Sequence, residues 1–327
     1  MTTPQQTAAT GATLEYKTYT FQSGAVYDGT FLGSKRHGRG HWRHPEGEVY
    51  EGEYADNKQH GRGIYIFGNS GKRYIGNWYV GEMSGEGVYY FSKKNNTFYC
   101  GSYDKDKKHG SGFYLYDNGV MTVQQWSNGE LKNEVEATPA QQVDCARKVR
   151  ELLVAVRQVA PRELGTQPET LDVKTFQFPS GATYTGQYYG TKKHGQGYWV
   201  HPDGDSYGGQ YEENKHCGWG VYITGRSGKK YVGQWADGKM NGWGVYFFNP
   251  QETEYFVGQY QDDVKHGQGM YHFAESGHSK VQQWDHGVLK HESDADDKTV
   301  LQYLAAIKKI VEIVVPHAQN YQPLAFR

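Results

Sequence analysis

The sequence predicts a mainly β protein built of two tandem arrays of β-hairpin repeats, each array followed by an amphipathic capping helix. Three observations carry this: a short repeat with strand-like alternation, a duplication of the whole array, and a switch to helical periodicity after each copy. A motif of the form aromatic-x-Gly-x-aromatic, followed by Gly-x-Gly, opens at Tyr27, Tyr50, Tyr74 and Tyr99, and again at Tyr184, Tyr207, Tyr231 and Phe256. The starts advance by 23, 24 and 25 residues in both sets, and each member of the second set lies 157 residues after its twin. Such a period marks a unit that cannot bury its apolar face alone and stacks on its neighbours. Stacked units present a surface rather than a pocket.

The second unit shows why these residues recur. Tyr50-Glu51-Gly52-Glu53-Tyr54 alternates rings and glycine against carboxylates, the period of a strand with one buried face, so Glu51 and Glu53 are expected to face water. Gly52 between two rings leaves room for a neighbouring ring over the backbone. The return strand, Gly61 to Phe67, keeps Gly61, Gly63 and Tyr65 in phase, with His60-Gly61 expected at the hairpin end, where glycine permits positive φ. Five units carry the histidine, at His37, His60, His109, His194 and His266; Ser84, Cys217 and Asn241 replace it in the others. The glycines are therefore the constant requirement and the imidazole is not. Val123-Gln124-Gln125-Trp126 and Val281-Gln282-Gln283-Trp284 extend each array by a partial fifth unit.

Composition fits a thin aromatic core. Over 327 residues the net charge is -1, and Leu, Ile, Val and Phe make up under about a fifth of the chain. The 28 Tyr, 13 Phe and 8 Trp supply the missing buriable area, at roughly 150–250 Å² per ring. Three cysteines at no ligand spacing fit a reduced, cytoplasmic chain. Met1 to Ala12 has neither a basic region nor an apolar one, so residues 1–20 are expected to be a loose tail and not a leader. No apolar run approaches the ~20 residues of a membrane span, and a soluble protein is expected.

The arrays are expected over 21–135 and 175–291, with helices in 136–161 and 292–327 and a linker at 162–174. Thr138-Pro139-Ala140-Gln141 reads as an N-cap with Pro at N1 and Gln at N3, followed by Val143, Val149, Leu152, Leu153, Val156 and Val159 at helical spacing. The twin starts near Ser293 and carries Leu301, Leu304, Ile307, Ile310, Val311 and Val314 before Pro316. Each helix is expected to cap the last hairpin of its array. Homo- or hetero-oligomerisation through 138–160 and 293–315 is the alternative use.

The units closely resemble MORN repeats, whose pattern is Tyr-x-Gly-x-Tyr/Trp followed by Gly-x-Gly, and the resemblance covers eight full units in register. It implies elongated, twisted, single-layer sheets of successive hairpins with an aromatic groove along each. Groove rings would be Tyr27, Tyr50, Tyr54, Tyr74, Trp78, Tyr99 and Tyr103 in the first array, and Tyr184, Tyr188, Tyr207, Tyr211, Tyr231, Trp235, Phe256 and Tyr260 in the second. Proteins of this kind without a catalytic domain look like cytoskeletal or axonemal components, including the radial spokes of motile flagella. Others bind acidic phospholipid or target an enzyme.

Lys35, Arg36, Lys58, Lys107, Lys108, Lys192, Lys193, Lys215, Lys239 and Lys265 fall beside the turns and are expected to align as a basic edge. Such an edge suits an anionic partner such as acidic phospholipid, or is simply a solvated edge that discourages aggregation. The turn histidines lack ligands at metal spacing, so no metal site is expected. No nucleophile elbow, P-loop, dinucleotide fingerprint or metalloprotease motif is present, so neither catalysis nor a cofactor is expected. Protein partners held by the aromatic groove are the expected ligands, and nucleic acid is not.

Overall fold

The computed structural model describes residues 13–93, 97–164 and 171–318. Residues 1–12 of the expected tail, 165–170 of the expected linker and the final stretch 319–327 lie outside the described residues. The chain divides into two compact units, Met1–Ala137 with Arg147–Gln167, and Thr138–Ala146 with Pro168–Arg327.

Among the described residues each unit is built on one open sheet of 11 antiparallel strands in sequential order. The first runs β1 (Leu14–Thr20), β2 (Val26–Leu32), β3 (Lys35–Arg43), β4 (Val49–Ala55), β5 (Lys58–Ile66) and β6 (Arg73–Tyr79). It continues through β7 (Glu82–Tyr90), β8 (Phe98–Asp104), β9 (Lys107–Leu115), β10 (Met121–Ser127) and β11 (Glu130–Glu136). The helices α1 (Pro139–Arg157) and α2 (Pro161–Leu164) follow. The second sheet opens with β12 (Asp172–Gln177), β13 (Thr183–Tyr189), β14 (Lys192–Val200), β15 (Ser206–Glu212), β16 (Lys215–Ile223) and β17 (Lys230–Ala236). It closes with β18 (Lys239–Phe247), β19 (Tyr255–Gln261), β20 (Val264–His272), β21 (Ser279–Asp285) and β22 (Val288–Asp294), before α3 (Asp297–Ala318).

The hairpin end is four residues earlier than expected. Between β4 and β5 the chain turns at Asp56 and Asn57, both at positive φ (48° and 72°), the signature of a type I′ turn. Gly61, also at positive φ, sits instead at a bulge, where the pairing shifts between Gly52 and Tyr54. Polar side chains on the opposing strand hold that bulge: Glu53 accepts the Arg62 N–H at 2.7 Å, Gln187 that of Gln196 at 2.6 Å and Gln234 that of Trp243 at 2.7 Å. The turns also join successive units, since Asn57 and Asn214 accept the backbone N–H groups of Arg36 and Lys193, each at 2.8 Å.

Two strands begin where a tail and a linker were expected, β1 within 1–20 and β12 within 162–174. β1 pairs with β2 from Leu14↔Leu32 to Thr20↔Val26, and β12 pairs with β13 in the same manner. Both are exposed along their whole length, so they carry no buried face for the sequence to advertise. Part of the linker is the short helix α2, and it reverses the expectation for Glu51. That carboxylate is buried, accepting the backbone N–H groups of Arg162 at 3.1 Å and Glu163 at 2.8 Å. Glu163 in turn meets His41 at 3.0 Å, and Arg162 donates to Asp28 at 3.0 Å. Burial pushes the Glu51 carboxyl up, against the pull of the two N–H groups.

The C-terminal helix does not sit on the last hairpin alone. α3 lies across β14 to β19 and packs most extensively on β16, because the middle strands present the apolar face that needs cover. Tyr303, Ala306, Ile310 and Val314 are buried there with Trp219, Val221, Val232, Trp243, Val245, Val257 and Met270. Val143, early in α1, belongs to the same cluster. The edge strand β22 stays exposed and is protected by charge, through Lys290, Glu292 and Asp294. α3 starts at Asp297, later than Ser293, and continues through Pro316 to Ala318. The N-cap of α1 forms as expected, with the Thr138 N–H donating to Gln141 at 2.9 Å and the Gln141 N–H pointing back to the Thr138 hydroxyl at 3.4 Å.

Candidate functional site

The aromatic face grows from a glycine pair. Gly52 and Gly63 face each other across β4 and β5, and the Tyr50 ring crosses above them to donate its hydroxyl to the Glu53 carbonyl at 2.9 Å. A Cβ on Gly63 would sit 2.6 Å from Tyr50 Cζ, so both glycines are required for the ring to lie flat. Tyr27, Tyr74, Tyr184 and Tyr231 make the same bond at 3.0 Å, and Tyr207 makes it at 3.1 Å. Phe256 has no hydroxyl to donate, and the buried hydroxyl of Tyr99 has no hydrogen-bond partner among the described residues.

The second ring of each motif locks neighbouring units. Tyr54 packs edge-on between Tyr27 (5.2 Å, 87°) and Tyr50 (5.0 Å, 84°). Trp78 does so between Tyr50 (5.4 Å) and Tyr74 (5.2 Å), and Tyr103 between Tyr74 (5.2 Å) and Tyr99 (5.6 Å). Tyr211, Trp235 and Tyr260 repeat the pattern, and Tyr188, in the first unit of its array, packs edge-on against Tyr184 of its own unit. Edge-to-face pairs of this spacing add about 0.5–1.5 kcal/mol each beyond area burial. All fifteen rings read as groove are thereby buried, and they form the core of the face rather than its accessible lining.

The accessible lining is a third row that motif reading missed. Tyr65, Phe67, Tyr89, Phe91, Tyr114 and Tyr116 run in contact across the first sheet, with centroids 4.5–5.5 Å apart, and all are half-buried. In the second sheet Tyr246, Phe248, Tyr271 and Phe273 form the same chain at 4.9, 5.3 and 4.5 Å. These residues follow the Gly-x-Gly in phase with it, and that alternation was the available signal.

Strand alternation splits the expected basic edge in two. Arg36, Lys108, Lys193 and Lys265 turn onto the rings. The Lys108 ammonium lies 4.4 Å from the Tyr99 and Trp126 centroids and 4.9 Å from Tyr114. Lys265 matches it over Phe256 (4.3 Å), Trp284 (4.5 Å) and Tyr271 (4.9 Å). Lys193 covers Phe178 and Tyr184, and Arg36 covers Tyr54. A cation thus closes the aromatic stripe at each end of each array, held by the ring quadrupoles. Burial lowers Lys108 and Lys265 to about 8. In the equivalent place inside the second array, His216 stacks on Tyr207 at 3.7 Å, and burial drives its imidazole down to about 4.

The other six remain at the turn edge, where carboxylates meet most of them. Lys35 pairs with Asp56 at 3.1 Å, Lys215 with Asp237 at 3.2 Å, Lys239 with Asp262 at 3.4 Å and Lys192 with Glu213. Lys58 and Lys107 lay their stems along Gly81 and Gly129 of the following turns. The edge therefore has alternating charge. The turn histidines are not gathered into one cluster: His60 packs on Tyr79, His194 on Tyr189 and His266 on His286. No described helix is long and apolar enough to cross a membrane.

These features define a hairpin-repeat protein with a ring-lined face on each array. A model of the MORN repeat matches residues 27–49, 50–72, 74–95, 99–121, 184–206, 231–251 and 256–277, and the chain is a MORN-repeat protein. The unit opening at Tyr207 falls outside those matches, yet β15 and β16 pair with the same shift after the glycine pair Gly209↔Gly220. No curated protein matches the chain. Among solved structures, the TCP domain of Drosophila melanogaster SAS-4 in complex with a proline-rich motif of Ana2 is 12% identical, covering 70% of this chain and 94% of that one at a TM-score of 0.20. Catalytically inactive virginiamycin B lyase from Staphylococcus aureus is 8% identical, covering 89% and 88% at a TM-score of 0.13. At those scores neither likeness bears on the fold or its use.

Proposed function

We propose that this is a non-enzymatic scaffold that binds protein partners along the half-exposed aromatic row of each array, in a cytoplasmic cytoskeletal assembly. The observation that carries the reading is the row itself: contiguous ring surface, backed by a buried stack of edge-to-face rings. Tyr, Trp and Phe on a pre-formed surface supply contact area at small entropic cost, as interface anchors do. The flagellar axoneme with its radial spokes is the assembly that family analogy favours.

The lipid-tether alternative is the weaker one, because the turn-edge lysines face carboxylates and leave little net charge for acidic headgroups. Targeting an enzyme in trans would use the same face. The test is a tag on the endogenous protein followed by detergent and salt extraction. Retention on a detergent-resistant cytoskeleton is expected; release by detergent from a membrane pool would overturn the reading.

A further inference from the structure

At one end of the second array three side chains converge that no motif connects. His266 follows Lys265 in β20, Asp285 ends β21, and His286 opens the turn into β22. Gly267 pairs with Trp284, so the ladder places His266 across from Asp285. His286 Nδ1 lies 2.7 Å from Asp285 Oδ1, His266 Nδ1 lies 3.9 Å from the same oxygen, and the two imidazoles are 4.6 Å apart. Their donor atoms all lie within 4.8 Å of one another.

We propose that His266, Asp285 and His286 form a binding site for a borderline divalent cation, zinc being the natural occupant. Two imidazole nitrogens and one carboxylate oxygen are the donor set that zinc takes with three protein ligands, leaving a position for water or for a side chain of a bound partner. Ligands bound at about 2.0–2.1 Å in tetrahedral geometry lie roughly 3.3 Å apart. The widest donor spacing, up to 4.8 Å, therefore has to shorten by as much as about 1.5 Å while the 2.7 Å His286–Asp285 pair opens by about half an ångström, and all three side chains are at least one-third exposed and free to turn. Binding replaces two contacts, the 2.7 Å hydrogen bond between His286 Nδ1 and Asp285 and the weak one from the His286 N–H to His266 Nδ1 at 3.3 Å.

The duplication supplies an internal control. The first array keeps the histidine, as His109, and the same turn, but has Ser127 and Asn128 in place of Asp285 and His286. Its geometry is otherwise equivalent: Asn128 donates its backbone N–H to His109 Nδ1 at 3.4 Å, and Asn128 and His286 turn at φ 49° and 47°. The aspartate and second histidine are therefore not needed to build this hairpin. They add a ligand set to one array alone, near the cation-closed end of its aromatic stripe.

The test is calorimetric titration of the full chain with zinc chloride, repeated on the double variant D285S/H286N. That variant copies the turn of the first array, which already folds, and circular dichroism confirms its integrity. One saturable zinc per chain is expected, weakened at least tenfold in the variant, with the ring protons of His266 and His286 shifting together by NMR. Equal affinity in wild type and variant, or no saturable binding to the wild type, would overturn the proposal.

Discussion

At the scale of the residue, the repeat is a device for laying a tyrosine across a hairpin. Gly40 shows what that demands: its φ is ordinary, but any Cβ would land on the Tyr27 ring. Gly33, seven residues earlier, has nothing within 4 Å and only a positive φ of 62°. Gly40→Ala is therefore expected to destabilise by about 3 kcal/mol through overpacking, and Gly33→Ala by about 1 kcal/mol through backbone strain. Denaturant unfolding of the two variants checks the difference, and similar losses would contradict the steric account. His216 carries a pH dependence. Its folded value of about 4 lies below the ordinary value of 6.5, so the unfolded chain binds the proton first as pH falls. Its contribution is intact above about pH 6.5 and is lost progressively towards pH 4, up to about 3 kcal/mol in all. His216→Gln should flatten the stability profile in that window, and an unchanged slope would assign the acid sensitivity elsewhere.

At the scale of the element, what the sequence made legible depended on whether a face was buried. The hairpins of both arrays, the partial fifth units and the α1 cap could all be read, because rings and glycines alternate with period two and Thr138-Pro139 is a strong start signal. β1 and β12 could not, since neither strand buries a side chain and Leu14, Tyr16 and Val173 stand in water. Gly61 was ambiguous, because glycine marks a turn and a bulge alike, and only the opposing Glu53 decides for the bulge. The path of α3 was illegible for another reason. Trp219, Val221, Val232 and Val245 form an apolar face on the strands' second side, but only the tyrosines on the first side recur with the repeat's glycines. The candidate site divides in the same way. Its buried rings stand in the motif, whereas its accessible rings stand just beyond it, and the lysines sort onto face or edge only once the register is fixed.

At the scale of the whole molecule, each array combines a buried stack that fixes a surface with a half-exposed row that uses it. The row is ring-rich and closed at each end of the stripe by its own cations, while the turn edge is largely neutralised by its own carboxylates. Protein partners seated on the rings fit that distribution better than lipid drawn to the edge. The most direct measurement is affinity capture from the source cell with three forms of the full chain: wild type, F67S/F248S in the row, and K35Q/K192Q/K215Q on the edge, each checked for fold by circular dichroism. The account predicts that the row variant loses the partner set recovered by the wild type while the edge variant keeps it. Retention of those partners by a folded row variant, or their loss from the edge variant alone, would contradict it.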